Sequence, residues 1–449
     1  MHAGLRSALF GSALPLAGFE LGMDFRAGWY RSGAVVTRDP LALPGASFGR
    51  DRAKWDNIGG ALIATPAGQP AIIPGIGYAA REPVQNLAPN SSWAGAAVGN
   101  STIPTLNMAL GTRGGLTLAV VAVGIENGLG YIDLRFSGTA NNTGNPGQPV
   151  LFYPVFSGSG GTSHPAAAQG DSFITAITSR VVAGSVSNIV ARSLSTSFRD
   201  DAGTNILLNN TQVQFLGADP SVNNRAITPP IVSTFATSRY WAHLTLGVND
   251  GQTVDATFRI LGASINKSAI EQPHIATGGG SVSMSGDNMR LTQPMPTNED
   301  WVFVSAVTAL RTSAQHSGNG NKRYWRILDG TIERIGIYRN IPIQNGAQGR
   351  INAIVTGADG DVKRPAGGDI PQAGRMVSVV RKVGTGYSIA TRAPDGTIQI
   401  GGAQTLAQFP SPLVDIHLAP ELEGYHEFLG WRRGTFSDDQ VRGMLAALA

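Results

Sequence analysis

The residues able to do chemistry in this sequence are few, and most stand alone. In "PELEGYHEF", Glu421 and Glu423 would share a face if the segment is a strand, within the separation a glycosidase needs between its two carboxyl groups. One such acid pair is also expected by chance in a chain of 449 residues. Gly170-Asp171-Ser172 faintly suggests a hydrolase serine, but no D-x-x-H partner follows it, and a loop entering the strand "SFITAITS" accounts for it. Neither H-E-x-x-H nor G-x-x-x-x-G-K-[ST] occurs. The seven histidines are spread singly, without metal-ligand spacing. The acidic turns "DDAG", "NDGQ" and "ADGDVK" offer oxygens that could hold a structural calcium ion, although Asp-Gly turn geometry needs no ion. No other cofactor is expected, and the catalytic signatures mostly fail.

A pattern suited to binding is more informative. In "GYIDLRF", residues 130–136, Ile132, Leu134 and Phe136 alternate with Tyr131, Asp133 and Arg135. Successive side chains of a strand point to opposite faces, so the aliphatic set belongs in a core. "TVDATFRILGA" repeats the pattern: Val254, Ala256, Phe258 and Ile260 face one way, Asp255, Thr257 and Arg259 the other. If both strands lie in one sheet, Tyr131, Asp133, Arg135, Asp255 and Arg259 line a polar face around an aromatic platform. Sugars stack their C–H faces on rings and bond their hydroxyls to Asp, Asn and Arg, so such a face can hold a saccharide. A solvated face of cross-strand ion pairs fits the same residues. It needs no ring, which makes Tyr131 the discriminating residue. Trp93, Trp241, Trp301, Trp325 and Trp431 sit in or beside strand patterns, where a Trp is usually core. The loops around Trp93 and Trp325 are the alternative place for a sugar site.

The elements that must position these residues are strands. Charged residues make up only 14% of the chain, hydrophobic residues 42%, and there are 58 glycines. That mixture fits an all-β chain with many tight turns and is too apolar for a disordered one. The net charge of +4 is mild and scattered, which speaks against nucleic-acid binding. With no cysteine, disulfides and thiolate chemistry are excluded. The longest apolar run, "LTLAVVAVGI" at 116–125, is too short to span a bilayer. "LRSALFGSALPLAGF" near the start has the Arg and apolar residues of a signal peptide but contains Pro15 and lacks a clear cleavage site, so an ordered N-terminal arm is expected.

Residues 1–90 hold brief extended pieces broken by Pro and Gly, too short to hold a core alone. From about 91, strand signals recur every 10–25 residues in the rhythm of a sandwich or jelly roll; "LTLAVVAVGIE" reads as a strand covered on both faces. A second series starts near 280, after the loop "GGGSVS", with hairpin signals at the Asp-Gly pairs 329–330, 359–360 and 395–396. In "TFSDDQVRGMLAALA", Ser437 and Gln440 form a capping box, Phe436 and Val441 a staple, and Val441, Met444, Leu445 and Leu448 one apolar stripe. The expectation is an all-β chain of tandem antiparallel β-sandwiches, jelly-roll and concanavalin-like, with one short terminal helix. Its divisions are 1–90, 91–277 and 278–449.

The segment 46–92 resembles a leader found in phage tail-fibre and other host-adsorption proteins. Phe48-Gly49-Arg50, Gly60-Ala61-Leu62, Pro70, Glu82, Asn86-Leu87 and Asn90-Ser91 match its pattern, while Ala71-Ile72-Ile73 replaces the usual Arg-Phe-Asp. Trp241, Glu271 and Thr277 are similar to the close of a family 4/9-like carbohydrate-binding jelly roll, and residues 278–449 resemble a concanavalin/laminin-G-like domain. The resemblance implies a non-catalytic appendage on a phage or phage-like particle, including gene transfer agents and mounted as a tail fibre or head spike, that adsorbs to bacterial surface polysaccharide or capsule. Residues 1–90 would then be the particle-attachment segment. The partners implied are that polysaccharide, the proteins of the particle and further copies of the chain, with no nucleic acid and no membrane insertion. A particle-borne polysaccharide-degrading or deacetylating enzyme and a purely structural spike are the alternatives.

Overall fold

The alternation across residues 116–266 becomes six long antiparallel strands: β1 (Leu116–Glu126), β2 (Leu129–Thr139), β3 (Ser172–Ser185), β4 (Ile189–Arg199), β5 (Ser238–Val248) and β6 (Thr253–Asn266). The structure is a computed structural model and describes all residues except 1–15, 17, 100–102, 104–105, 107–109, 160, 203, 208–210, 296, 314–320, 341–348, 410–412, 419–420, 422 and 449. Most of the expected N-terminal arm lies outside the described residues.

Two compact units appear, both discontinuous in sequence. The central unit comprises Arg52–Ala67 and Val84–Met284, the terminal unit Met1–Asp51, Gly68–Pro83 and Ser285–Ala449. In the central unit one sheet runs in the order Gly111–Arg113, β1, β2, β6, β3, Asn224–Ile227, and a second in the order Val150–Phe152, β5, β4, Thr211–Gln214. Ile132, Leu134 and Phe136 from β2 and Phe258 and Ile260 from β6 share one core with Leu194 and Phe198 from β4 and Tyr240, Leu244 and Leu246 from β5. The sheets are therefore the two halves of a sandwich, and the expected side of each alternating strand is the buried one.

β1 departs from expectation. Leu116, Leu118 and Val120 are buried, but Val121, Val123 and Ile125 are 38%, 41% and 77% exposed. A bulge between Val120 and Ala122 breaks the register with β2, and the outer neighbour Gly111–Arg113 pairs only with Leu116–Leu118. Beyond that pairing β1 is an edge, so its apolar run is not covered on both faces.

In the terminal unit β7 (Trp301–Ala309), β8 (Asn321–Asp329), β9 (Ile332–Asn340), β10 (Gly374–Val383) and β11 (Gly424–Arg433) form the centres of two sheets. β7 lies between β10 and β11. Its Trp301, Phe303 and Val307 enter the core between the sheets. Val302, Val304 and Ala306 form a second cluster with Val441, Met444, Leu445 and Leu448 of helix α1 (Asp438–Ala447) and its C-terminal end. Here a continuous apolar run does mark a strand covered on both faces. The capping box is present, with Ser437 accepting from the Gln440 amide and the Gln440 side chain accepting from the Ser437 amide. All three Asp-Gly pairs join paired strands.

The short pieces of residues 1–90 hold no core of their own and are shared between the units. Leu21–Asp24 and Gly77–Ala80 pair with β11, and Ala46–Gly49 pairs with Asn288–Met295. The hairpin Lys54–Ile58/Ala61–Thr65 and the strand Val84–Asn86 belong to the central unit. The division between the units after the second series begins falls at Met284/Ser285, just past the "GGGSVS" loop.

Candidate functional site

β2 and β6 are direct neighbours, so Tyr131, Asp133, Arg135, Asp255 and Arg259 do come together on one face. They are joined by ion pairs. Arg135 donates two hydrogen bonds to Asp255, both at 2.8 Å. Arg259 donates two to Asp133 at 2.8 Å and one to Glu126 at 2.8 Å. Glu126 in turn accepts two from Arg180 on β3 at 2.6 Å. The Arg180 fork, and after it Arg259, hold the Glu126 carboxyl down to about 2 against the effect of its partial burial. The Arg259 guanidinium lies 3.6 Å from the centroid of the Tyr131 ring. The same ring crosses Gly124 on β1, where an added Cβ would sit 2.7 Å from the ring Cζ. Tyr131 also packs against the small cluster of Trp55, Leu129 and Leu261. Its ring is engaged within the protein, and each guanidinium of the face has a carboxylate at short range.

The two tryptophans expected beside a binding loop are corrected by burial. Trp93 is 4% exposed within the sandwich core. Trp325 is fully buried, stacked on Phe303 at 4.4 Å, and donates from Nε1 to Ser305 Oγ at 2.9 Å. Neither presents a ring to solvent.

The acid pair is also engaged: Glu423 is buried in an ion pair with Arg311, and Glu421 accepts from the Arg323 amide. Gly45-Ala46-Ser47-Phe48-Gly49 has the spacing of a nucleophile elbow. It forms the strand Ala46–Gly49 paired with Asn288–Met295, and not the strand-to-helix turn that exposes such a serine. In the acidic turns Asp200 accepts from Thr204 and Asn205, Asp250 from the amides of Asn142 and Gly147, and Asp359 from the Asp361 amide. Among the described residues no group of three or more His, Asp or Glu has the placement of a metal site.

The residues that matched the leader pattern act as clasps. Arg50 pairs with Asp287 at 2.9 Å, both side chains fully buried, and Glu82 pairs with Lys322 at 2.7 Å. The Asn86 side chain bonds to the backbone of Ala88, Ala263, Ile265 and Ile275, and Thr277 bonds to Ser91 and the Ala88 carbonyl. Glu271 accepts from Arg225 and Asn57, both at 2.8 Å.

A second polar face lies on the outside of the β4–β5 sheet. Tyr240, Ala242, Leu244 and Leu246 point into the core, so Arg239, Trp241, His243 and Thr245 point outward. Their cross-strand partners on β4 are Arg199, Ser197, Ser195 and Ser193, and Gln212 and Gln214 continue the row on the next strand. Trp241 is held between Arg199, 3.8 Å from its ring centroid, and His164, whose ring centre is 4.4 Å away. Tyr153, 41% exposed, meets His243 edge to face at 5.6 Å. His164 Nδ1 is bonded to Ser157 Oγ at 2.9 Å. Burial first, then the fields of Arg199 and Arg239, push His164 down to about 4, against a hydrogen bond at Ser157 that works the other way. Burial, then Arg199, does the same for His243. Both imidazoles are neutral at physiological pH. His243, Ser195 and Ser197 are buried on this side of the sheet, and Trp241 is half-buried.

The alternation in "SRYWAHLTLG" and "RSLSTSFR" holds the signal for the strand half of this face. Tyr153 and His164 come from irregular segments, and no sequence period points to them.

No family model and no curated protein matches the chain. Among solved structures it is similar to the CBM2 module of Lactobacillus casei BL23 phage J-1 evolved Dit (13% identity, 34% of this chain and 72% of that one, TM-score 0.24). It is also similar to a Trypanosoma rangeli sialidase (11%, 90% and 77%, TM-score 0.25) and to the tail fiber protein gp63.1 of an E. coli phage (8%, 71% and 39%, TM-score 0.20). Two of the three come from phages. Likeness at this level says nothing of activity. Among the described residues no helix is long and apolar enough to cross a membrane.

Proposed function

We propose that the chain is a non-catalytic receptor-binding appendage of a phage or phage-like particle, such as a gene transfer agent, that adsorbs to polysaccharide on the bacterial surface. The observation that carries this reading is the outer β4–β5 face. There the exposed ring of Tyr153, packed on the buried His243, and the half-buried ring of Trp241 lie beside Arg239, Thr245, Gln212 and Gln214. Rings for the C–H faces of a sugar, beside donors and acceptors for its hydroxyls, are what a saccharide site requires. The candidate acids Glu421 and Glu423 are bound to Arg323 and Arg311, which favours holding a glycan over cleaving it. The resemblance of residues 46–92 to host-adsorption leaders supports mounting on a particle.

The test is retention of the purified full-length chain on bacterial capsule and on a glycan array, with assay of the supernatant for released oligosaccharide. Binding without release is expected, and Tyr153→Ala should weaken it at least about tenfold, ~1.4 kcal/mol. Full affinity in that variant moves the site away from this face. Released oligosaccharide would replace the adhesin with a depolymerase, and no binding at all would leave a structural spike.

A further inference from the structure

We propose that the terminal unit holds a second, smaller ligand site: a cleft at one end of its sandwich that takes a single uncharged sugar unit through Glu20, Ser32 and Gln293. That the sugar belongs to a surface glycan rests on the reading above; the cleft rests on the geometry of this unit alone. Its volume is about 340 Å³, and residues of both sheets line it. Small-ligand sites begin at about 300 Å³ and combine an apolar floor with a few placed polar groups. Here Leu21, Met295 and Trp431 make the floor.

Two inward positions at this end break the apolar pattern. Along Asn288–Met295, Met289, Leu291 and Met295 are core residues, and Gln293 belongs to the same alternating row. On the facing sheet Tyr30 is core, and Ser32, two residues on, stands opposite Leu21, which in turn stands opposite Trp431. Apolar residues at 32 and 293 would close the end of the sandwich. Such departures from a strand's pattern are expected at functional sites. A bulge falls at the same place: Gln293 and Pro294 lie between the pairs Thr292–Asp415 and Met295–Leu413 and have no partner of their own on that strand. Proline brings no N–H to the ladder, and a bulge re-aims the side chain it carries.

The polar groups keep bonding capacity for a ligand. Ser32 donates to Gln293 Oε1, Gln293 Nε2 donates to the Pro44 carbonyl at 3.3 Å, and Arg433 Nε donates to Glu20 Oε1 at 2.7 Å. An amide has two N–H groups and two oxygen lone pairs, and a carboxylate has more acceptor sites still. Those bonds leave Gln293 one donor and one acceptor, and Glu20 its second oxygen. Sugar hydroxyls donate and accept, so they match this mixture. The Glu20 carboxylate, with Glu299 at 3.6 Å on the other side of Arg433, disfavours an anion. Arg433 offsets that charge, so a cation gains little. The ligand class is therefore a neutral pyranose unit.

The experiment is saturation-transfer NMR on the full-length chain with a panel of neutral methyl hexosides, and with a methyl glucuronide and a methyl glucosaminide as charged controls. At least one neutral hexoside should bind, more tightly than either control. Glu20→Gln and Gln293→Leu should each weaken it at least about tenfold. The Glu20 and Arg433 side chains are 38% and 40% exposed, so Glu20→Gln should leave the melting temperature in place; a merely structural glutamate would lower it and spare the sugar. Glu20→Gln alone decides the matter if Gln293→Leu does not fold. Binding of the charged glycosides only, binding that survives both substitutions, or a signal lost in Tyr153→Ala instead, overturns the cleft assignment and leaves the adhesin reading standing. No binding of any glycoside, while the chain is still retained on capsule, does the same. Loss of capsule retention as well overturns both.

Discussion

Replacing Arg259 and Arg135 by Gln, one at a time, tests how burial decides the strength of an ion pair. The two arginines lie on the same sheet face, and each grips an aspartate through two bonds of 2.8 Å. Their surroundings differ. The Arg135 and Asp255 side chains are 51% and 58% exposed, whereas Arg259 and Asp133 are 18% and 7% exposed. An exposed pair is screened by water and contributes little. Arg259→Gln leaves the Asp133 carboxylate buried and unpaired, takes one donor from Glu126 and uncovers the Tyr131 ring. Breaking a buried pair on one side costs about 3–5 kcal/mol, and the partial exposure of Arg259 puts the expectation near ~3 kcal/mol. Native-state hydrogen exchange of the β2 and β6 amides reads this directly in the full chain, without assuming that both units unfold together. A loss of ~3 kcal/mol corresponds to about two orders of magnitude in protection; Arg135→Gln should leave protection unchanged. Equal effects for the two variants, or none for Arg259→Gln, would refute the argument.

Two further outcomes concern stability. His164 and His243 are held at about 4 in the folded chain, below the ordinary 6.5. The unfolded chain therefore takes up protons below pH 6.5 that the folded chain does not, so their contribution is complete above 6.5 and is lost as the pH falls toward 4. At 1.36 kcal/mol per unit, each accounts for ~3 kcal/mol; urea midpoints measured from pH 7 to 4.5 should fall, and less steeply in His243→Asn. Ser437→Ala removes the oxygen that accepts from the Gln440 amide and should cost about 0.5–2 kcal/mol, seen as faster hydrogen exchange in α1 with glycan binding intact; unaltered exchange there would mean that the cap does not hold the helix.

Where one residue's environment is set by its near neighbours, the sequence was readable. Ile132, Leu134 and Phe136 alternate with polar residues and are fully buried, and the Ser437 cap needs only the three residues after it. The shared sheet of "YIDLRF" and "TVDATFRILGA" also followed from matching alternation, because two half-buried strands with the same period fit as neighbours. The losses come from distant partners. β1 and β7 both carry long apolar runs, yet β7 is paired along its length on each side and has a helix on its outer face, while β1 is paired on its outer side only at Leu116–Leu118. Nothing within "LTLAVVAVGIE" reveals that its outer neighbour is three residues long. Trp325 is polar-flanked in "KRYWR", but its burial depends on Phe303 and Ser305 from another sheet. Some short strands of residues 1–90 pair with partners about 400 residues away, as Leu21 with Trp431 shows, and such pairings leave no local period.

The two polar faces of the central sandwich both set rings among polar side chains, and they differ in how far the rings are covered. On the β2–β6 face Asp133, Asp255 and Glu126 meet the guanidiniums at 2.6–2.8 Å, and Arg259 covers the one ring. A sugar arriving there would have to break charge-assisted bonds already made, and its hydroxyls are weaker partners than the carboxylates they would displace. On the β4–β5 face Arg239 meets Asp201 at 3.4 Å, the serines bond to one another, and the Tyr153 ring is exposed. Ringed polar alternation in a strand is thus necessary for a sugar floor and does not identify one. What separates the two faces is whether a ring is left exposed: Tyr131 is covered by Arg259, Tyr153 is not buried, and that depends on which segments become neighbours.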